Sequence, residues 1–102
     1  MTVIFSSLFK KDLLDAETRY AAISSELSDD FHRRTREIVS AVIRWRGGDH
    51  VGPHGFQCRR CRPFPFLLYY HLEGDTLFIL GLVHERRHPD YLRDKLEPGE
   101  KS

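Results

Sequence analysis

The stretch that decides the fold, residues 60–91, reads RCRPFPFLLYYHLEGDTLFILGLVHERRHPDY. Phe64–Leu72 is aromatic and mostly apolar, Glu73–Asp75 is a turn sequence, and Thr76–Val83 is a nearly continuous apolar run. An unbroken run of this length is typical of a central strand that is covered on both faces. Pro89 stands near the first position of a short final helix, where its missing N–H is tolerated. This stretch therefore predicts two antiparallel strands followed by a helix.

Two helical patterns lie upstream of these strands. The first has mostly apolar residues at spacings of three and four, namely Leu13, Ala16, Tyr20, Ile23 and Leu27. The second has the same spacing in Phe31, Thr35, Ile38, Val42 and Trp45. Ser28, followed by two aspartates, predicts the N-cap of the second helix, and Gly47–Gly48 predicts its end. Because the joint between the helices is short, the pattern predicts an antiparallel helical hairpin.

The remaining segments complete an α+β domain. Thr2–Ser6 is β-prone, the glycine-rich segment Gly47–Gly55 predicts a loop, and Phe56–Arg62 is compatible with a further strand. The predicted architecture is an N-terminal strand, an antiparallel helical hairpin, an antiparallel three-stranded meander and a short C-terminal helix. The length of 102 residues fits a single domain over residues 1–102.

Charge is distributed unevenly along the chain. The net charge is only +1, but residues 31–72 carry a balance of +6, and every basic residue among them is arginine. Arginine favours bidentate contact with carboxylate or phosphate, which suggests an anionic partner. The alternative is a solvated helix face beside an exposed strand. No apolar run is long enough to span a membrane, and the two cysteines favour reduced thiols in a cytoplasm.

Three segments, in order along the chain, resemble sequence motifs of one protein superfamily. Arg60–Tyr70 is similar to an arginine followed by an "fPy-x-i-x-Y" strand, and Asp75–Leu82 is similar to a "d-x-i-x-I-l-x-v" strand. His84–Tyr91 resembles an "H-x-R-R-x-P" close, and Lys11–Leu14 resembles an "A-x-x-D-L" helix start without its alanine. On these residues the chain resembles the RelE/ParE superfamily of bacterial type II toxin–antitoxin systems, with ParE-type sequences the nearer group.

The resemblance implies a growth-inhibiting toxin of the kind linked to plasmid stabilization, neutralised by a cognate antitoxin. RelE-like members cut mRNA in the ribosome, whereas ParE-like members poison DNA gyrase without a catalytic site. We expect the ParE-like mode, with no cofactor. The alternatives are a ribosome-dependent endoribonuclease and a non-toxic member that survives as a binding module.

The resemblance also assigns candidate residues. One arginine of RelE-like nucleases falls on Phe66, whereas Arg86 matches the second and Tyr91 stands one position short of a family tyrosine. Candidates for nuclease chemistry are Arg60, Arg62, His84, Arg86 and Tyr91. Candidates for target binding are Arg86, Arg87 and Tyr91, and candidates for antitoxin binding are Arg59, Arg62 and Tyr69.

Alternation along the last strand adds an expectation about these cations. If that strand continues through Val83, alternation places His84 and Arg86 on one face and Arg87 on the other. The functional interpretation is an anion-binding edge for nucleic acid or gyrase. The structural alternative is that one arginine pairs with an acid such as Glu73 or Asp90.

Cys58 and Cys61, together with His50 and His54, have spacing that zinc ligands can show. In a strand, however, positions three apart point to opposite faces, so the two thiols should diverge. We therefore predict no metal site.

The aromatic strand predicts one face that packs on the helical hairpin. Phe64, Phe66, Leu68 and Tyr70 share one face by alternation, and Pro65, Leu67 and Tyr69 share the other. Rings that do not face the hairpin could contact the antitoxin.

Overall fold

The computed structural model describes residues 1–45, 50–51 and 55–87. Its elements in chain order are β1 (Thr2–Phe5), α1 (Ser7–Ala21), α2 (Ser25–Arg44), β2 (His50–Val51), β3 (Gln57–Arg60), β4 (Phe66–Glu73) and β5 (Thr76–His84). The predicted α+β class, N-terminal strand and hairpin of helices are confirmed. The predicted C-terminal helix and Tyr91 lie outside the described residues.

The strands form one mixed sheet in the order β1-β5-β4-β3-β2. The antiparallel meander β3-β4-β5 is confirmed, and β1 joins it by pairing parallel to β5, from Thr2 opposite Thr76 to Phe5 opposite Ile79. The segment predicted as a loop contains the short strand β2, which pairs with β3 and places His50 opposite Cys58. That part of the loop prediction is wrong, because backbone pairing with β3 supplies a partner that the glycine-rich sequence does not reveal.

The start of α1 is attached to β5 by two side chains. β1 pairs with β5 only as far as Ile79, so the rest of that edge of β5 needs other hydrogen-bond partners. The Ser6 hydroxyl accepts from the Phe9 N–H at 3.0 Å as the N-cap of α1 and donates to the Leu80 carbonyl at 2.7 Å. Six residues further on, Asp12 Oδ2 accepts from the Leu82 N–H at 3.1 Å. The helix therefore continues the hydrogen bonding that β1 begins.

The joint of the hairpin lies earlier than the sequence pattern suggests. Ser24, in an extended conformation, caps α2 by accepting from the Leu27 N–H at 3.0 Å. The Ser28 hydroxyl instead donates to the Glu17 carbonyl across the hairpin at 3.0 Å. The predicted cap at Ser28 is wrong because its hydroxyl has this tertiary partner. The first predicted stripe therefore runs past the end of α1, because Leu27 belongs to α2. Ile23, between the helices, is 73% exposed, and Trp45, the end of the second stripe, is 65% exposed.

The sheet is covered on both faces. The main core lies between the sheet and the hairpin, and its most buried large members are Phe31, Val42, Leu68, Tyr70, Leu77 and Ile79. A smaller cluster on the opposite face is formed by Tyr69, Leu80 and Val83, with partly buried neighbours that include Phe56 and Leu67. The predicted alternation of β4 is confirmed, since Phe64, Phe66, Leu68 and Tyr70 all join the main core. Neither α1 nor α2 is long and apolar enough to cross a membrane.

Candidate functional site

A small cleft lies where β5 ends beside α1. It encloses about 50 Å³. Its lining residues are Asp12, Asp15, Ala16, Arg19, Phe66, Leu82, Val83, His84 and Arg87. Two of the sequence-predicted candidates, His84 and Arg87, therefore meet in one place. We call this site the strand-end cleft.

His84 organises the turn that closes the cleft. It is the last residue of β5, and its ring lies edge-on to Phe66, with the ring centroids 5.3 Å apart. Its Nδ1 accepts from the Arg86 N–H at 3.1 Å, and its carbonyl accepts from the Arg87 N–H at 2.9 Å. Because the chain turns here, Arg87 reaches the side where His84 lies. The expectation that alternation would separate Arg87 from His84 is therefore wrong.

Phe66 occupies the position where the resemblance places an arginine in nucleases. It is only 8% exposed, and its ring packs against Phe31 at 5.3 Å and Tyr20 at 6.4 Å between ring centroids. A phenyl ring offers no hydrogen-bond donor to a phosphate. At this position the strand-end cleft has a core residue in place of a cation.

α1 contributes two carboxylates and one guanidinium group to the cleft, from Asp12, Asp15 and Arg19. Asp12 is 9% exposed and is held by the Leu82 N–H, whereas Asp15 is exposed. With Arg87 the lining contains two carboxylates and two guanidinium groups, so these four groups carry no surplus positive charge. A site that concentrates phosphate needs such a surplus.

The other predicted cations do not line this cleft. Arg60 and Arg62 are exposed at the end of β3, on the far side of β4 from His84. The Arg62 carbonyl accepts a hydrogen bond from Arg34 Nε, which attaches this turn to α2. Arg86 is exposed in the turn after β5.

The predicted antitoxin contacts differ in accessibility. Arg59 is half-buried in β3, opposite Leu68. Tyr69 is only 7% exposed and belongs to the smaller cluster, where burial raises the pKa of its phenol. Its ring offers little surface to a partner, whereas Arg62 is exposed.

The two cysteines lie on opposite faces of the sheet, as alternation predicts. Cys61 is fully buried in the main core, where burial raises the pKa of its thiol to about 12. Cys58 packs against the smaller cluster. Within the described part of the chain, no three His, Cys, Asp or Glu side chains are grouped to hold a metal ion. His54 lies outside that part.

The fold of this chain, but not its sequence, is similar to that of a known protein. No protein-family model and no curated protein sequence matches the chain. Among solved structures, a chain of the chromosomal ParDE TA system from P. aeruginosa matches with a TM-score of 0.69 over 82% of this chain and 95% of that chain. The fold is ParE-like. Since the two chains are 16% identical, this likeness establishes the fold alone.

Within the ParE-like fold, three residues of the strand-end cleft were missed by sequence reasoning: Asp12, Asp15 and Arg19. One signal was available, because Lys11–Leu14 matches the superfamily's helix start and contains Asp12. Asp15 and Arg19 follow Asp12 at spacings of three and four. A helical wheel with Asp12 facing the sheet would therefore also put Asp15 and Arg19 on the side of the sheet.

Proposed function

We propose that this chain is the toxin of a type II toxin–antitoxin system, that it inhibits DNA gyrase, and that a cognate antitoxin neutralises it. One observation carries the choice of mode within the ParE-like fold: Phe66 is a buried core residue where the nuclease resemblance requires a cation. We further propose that residues 1–102 act as one domain in the cytoplasm.

The charge of the strand-end cleft supports the non-nuclease mode. Negative charge builds up on phosphate as RNA is cleaved, and losing one donor to such a group typically costs about 10²–10³ in rate. Here the donor position is apolar, and on the side of α1 the carboxylates of Asp12 and Asp15 outnumber the one guanidinium group of Arg19, so that side does not attract a phosphate. Arg60 and Arg62 do not line the cleft and would have to reach it across β4.

We propose that the turn after β5 contacts the target, with Arg86 and Arg87 exposed on it. Two adjacent guanidinium groups suit a protein surface with carboxylates or the phosphates of gyrase-bound DNA. On the resemblance, Tyr91 belongs to the same surface.

Expression in bacteria tests the toxin assignment first. The chain alone should arrest growth, and co-expression of the adjacent reading frame should restore it. Normal growth at a high level of soluble protein would remove the toxin assignment and favour the non-toxic binding module.

The mode of action is tested by assaying gyrase supercoiling and mapping mRNA ends in the same arrested cells. We expect blocked supercoiling and intact ribosome-bound mRNA. The paired variant Arg86→Glu and Arg87→Glu should abolish arrest while the protein stays folded, whereas Arg44→Glu, which lies outside the cleft, should remain toxic.

One specific observation keeps the endoribonuclease as the second candidate, namely that His84 and Arg87 share a cleft. Codon-positioned cleavage that disappears with Arg86→Ala, alongside normal supercoiling, would establish that alternative.

A further inference from the structure

A polar depression lies on the outward side of α2, opposite the side that the helix buries in the main core. It measures about 430 Å³. The described residues that line it are all polar or charged and all exposed, namely His32, Arg33, Arg36, Glu37, Ser40 and Arg44. We call this surface the α2 face. It shares no described residue with the strand-end cleft.

The α2 face carries a surplus of positive charge. Three of its residues are in ion pairs, namely His32 with Glu17, Arg33 with Asp30, and Glu37 with Arg34. These pairs add no surplus. Arg36 and Arg44, by contrast, have no acidic partner among residues 1–45, 50–51 and 55–87. The two guanidinium groups supply the unneutralised charge that a phosphate site needs and that the lining of the strand-end cleft lacks.

Trp45 stands at the end of the α2 face. It is the sole tryptophan of the chain and is 65% exposed. Its N–H donates to the Ala41 carbonyl at 2.8 Å, so Trp45 keeps the helical spacing of α2. That spacing puts Trp45 in one row with Glu37, which lines the depression. An exposed indole offers a flat face on which a nucleic-acid base can stack.

We propose that the α2 face binds a single-stranded polynucleotide, with phosphates on Arg36 and Arg44 and one base stacked on Trp45. Because an α-helix rises about 1.5 Å per residue, Arg36 and Arg44 lie about 12 Å apart along the helix axis, which leaves room for a strand that follows α2. Arg33 supplies a third contact, since its ion pair with Asp30 is exposed and such pairs are weak. This inference goes beyond the proposed function and does not rest on it.

The composition of the α2 face favours a polynucleotide over a protein partner. Protein interfaces take most of their affinity from buried apolar anchors, whereas the described lining of this depression is polar throughout. Phosphate contacts need only cations, and stacking needs only an exposed ring. A duplex keeps its base faces covered by neighbouring pairs, so Trp45 favours a single strand. Two copies of the chain joined through this face would bring like charges together, which opposes association.

The emission of Trp45 measures binding directly, because the chain has no other tryptophan. The probes are oligothymidylate and oligouridylate of about 20 nucleotides, which exceeds the usual site size of a single-strand-binding surface. We expect both probes to bind at low salt and to quench the indole. Tighter binding of the first identifies DNA as the source of the strand, and tighter binding of the second identifies RNA. Either result supports the proposal.

Anisotropy of a labelled probe then compares variants that circular dichroism shows to be folded. Trp45→Ala should weaken binding about fivefold or more, whereas Trp45→Phe, which keeps a ring, should retain most of the affinity. Arg36→Gln should reduce the slope of log affinity against log salt by about 0.7, the contribution of one phosphate on a single strand. Arg60→Gln is the matched control, because it removes the same charge from an exposed arginine outside the α2 face.

The proposal is overturned if neither probe changes the emission of Trp45, or if a duplex or polyglutamate binds as tightly as the single strands. It is also overturned if Arg60→Gln reduces the salt slope as much as Arg36→Gln does. None of these measurements uses growth or gyrase, and the proposed target contact lies in the turn after β5. They can therefore fail while the toxin assignment stands, and the reverse.

Discussion

Thr35 is a buried residue with an unused hydroxyl. It is 2% exposed, and its Oγ1 has no hydrogen-bond partner in the described part of the chain. A helical threonine usually bonds to the carbonyl four residues before it, and an unsatisfied buried group costs about 1–3 kcal/mol. Thr35→Val keeps the shape and removes that group. We expect the free energy of unfolding, measured with urea, to stay level or rise by about 1 kcal/mol.

Ser6 serves as the comparison, because its hydroxyl makes two hydrogen bonds. Its hydroxyl caps α1 and donates to Leu80, so Ser6→Ala should lower the free energy of unfolding by about 1–2 kcal/mol. If Thr35→Val were the more destabilising of the two, the account of the Thr35 hydroxyl would be wrong.

Cys61 gives a pH-dependent prediction. Burial raises the pKa of its thiol from 9.0 to about 12, so above pH 9 the unfolded chain loses a proton that the folded protein keeps. Stability therefore falls as pH rises through this window, by about 1.4 kcal/mol at pH 10 from this thiol alone. In Cys61→Ala, whatever its effect at pH 7, the free energy of unfolding should fall less between pH 8 and 10, because this thiol is absent. Equal slopes in the two proteins would show that the thiol titrates normally when folded.

At the scale of elements, Asp12 joins α1 to β5. Asp12→Ala removes the carboxylate that accepts from the buried Leu82 N–H. We therefore expect it to lower the free energy of unfolding by about 1.5–3 kcal/mol. Hydrogen exchange at the Leu82 amide should speed up in the same variant. Asp15→Ala removes the same charge from the same cleft at an exposed position, and we expect a change within about 0.5 kcal/mol. Similar losses in both variants would point to cleft charge rather than to the hydrogen bond.

At the scale of the molecule, we expect the charge balance of +6 over residues 31–72 to govern encounter with the proposed antitoxin, if that partner is acidic. Complementary charge raises the association rate more than it slows dissociation, and salt screens it. The association rate with the antitoxin should therefore fall steeply between about 50 and 500 mM salt while dissociation changes little. Surface plasmon resonance measures both. An association rate that does not change with salt concentration would show that the charge of residues 31–72 does not guide the encounter.

The sequence by itself determined most of the described elements and most of the core. Period-two alternation assigned Phe64, Phe66, Leu68 and Tyr70 to one face, and the structure buries all four there. Spacings of three and four likewise selected the buried face of α2, from Phe31 to Val42. These inferences succeed because each depends only on the local repeat of a helix or strand.

Only the tertiary structure decided where the candidate site lies. A bulge opposite Tyr69 and Tyr70 leaves Leu80 outside the register of β5, since Tyr69 pairs with Gly81 and Tyr70 with Ile79. One extra residue reverses the alternation, so Leu82 joins Leu77 and Ile79 in the main core, and His84 follows it to the side of Phe66 and α1. The bonds from Ser6 to Leu80 and from Asp12 to Leu82 span 74 and 70 residues of sequence. No local period can signal such pairs, because they exist only once β1 ends and α1 packs along the free part of β5.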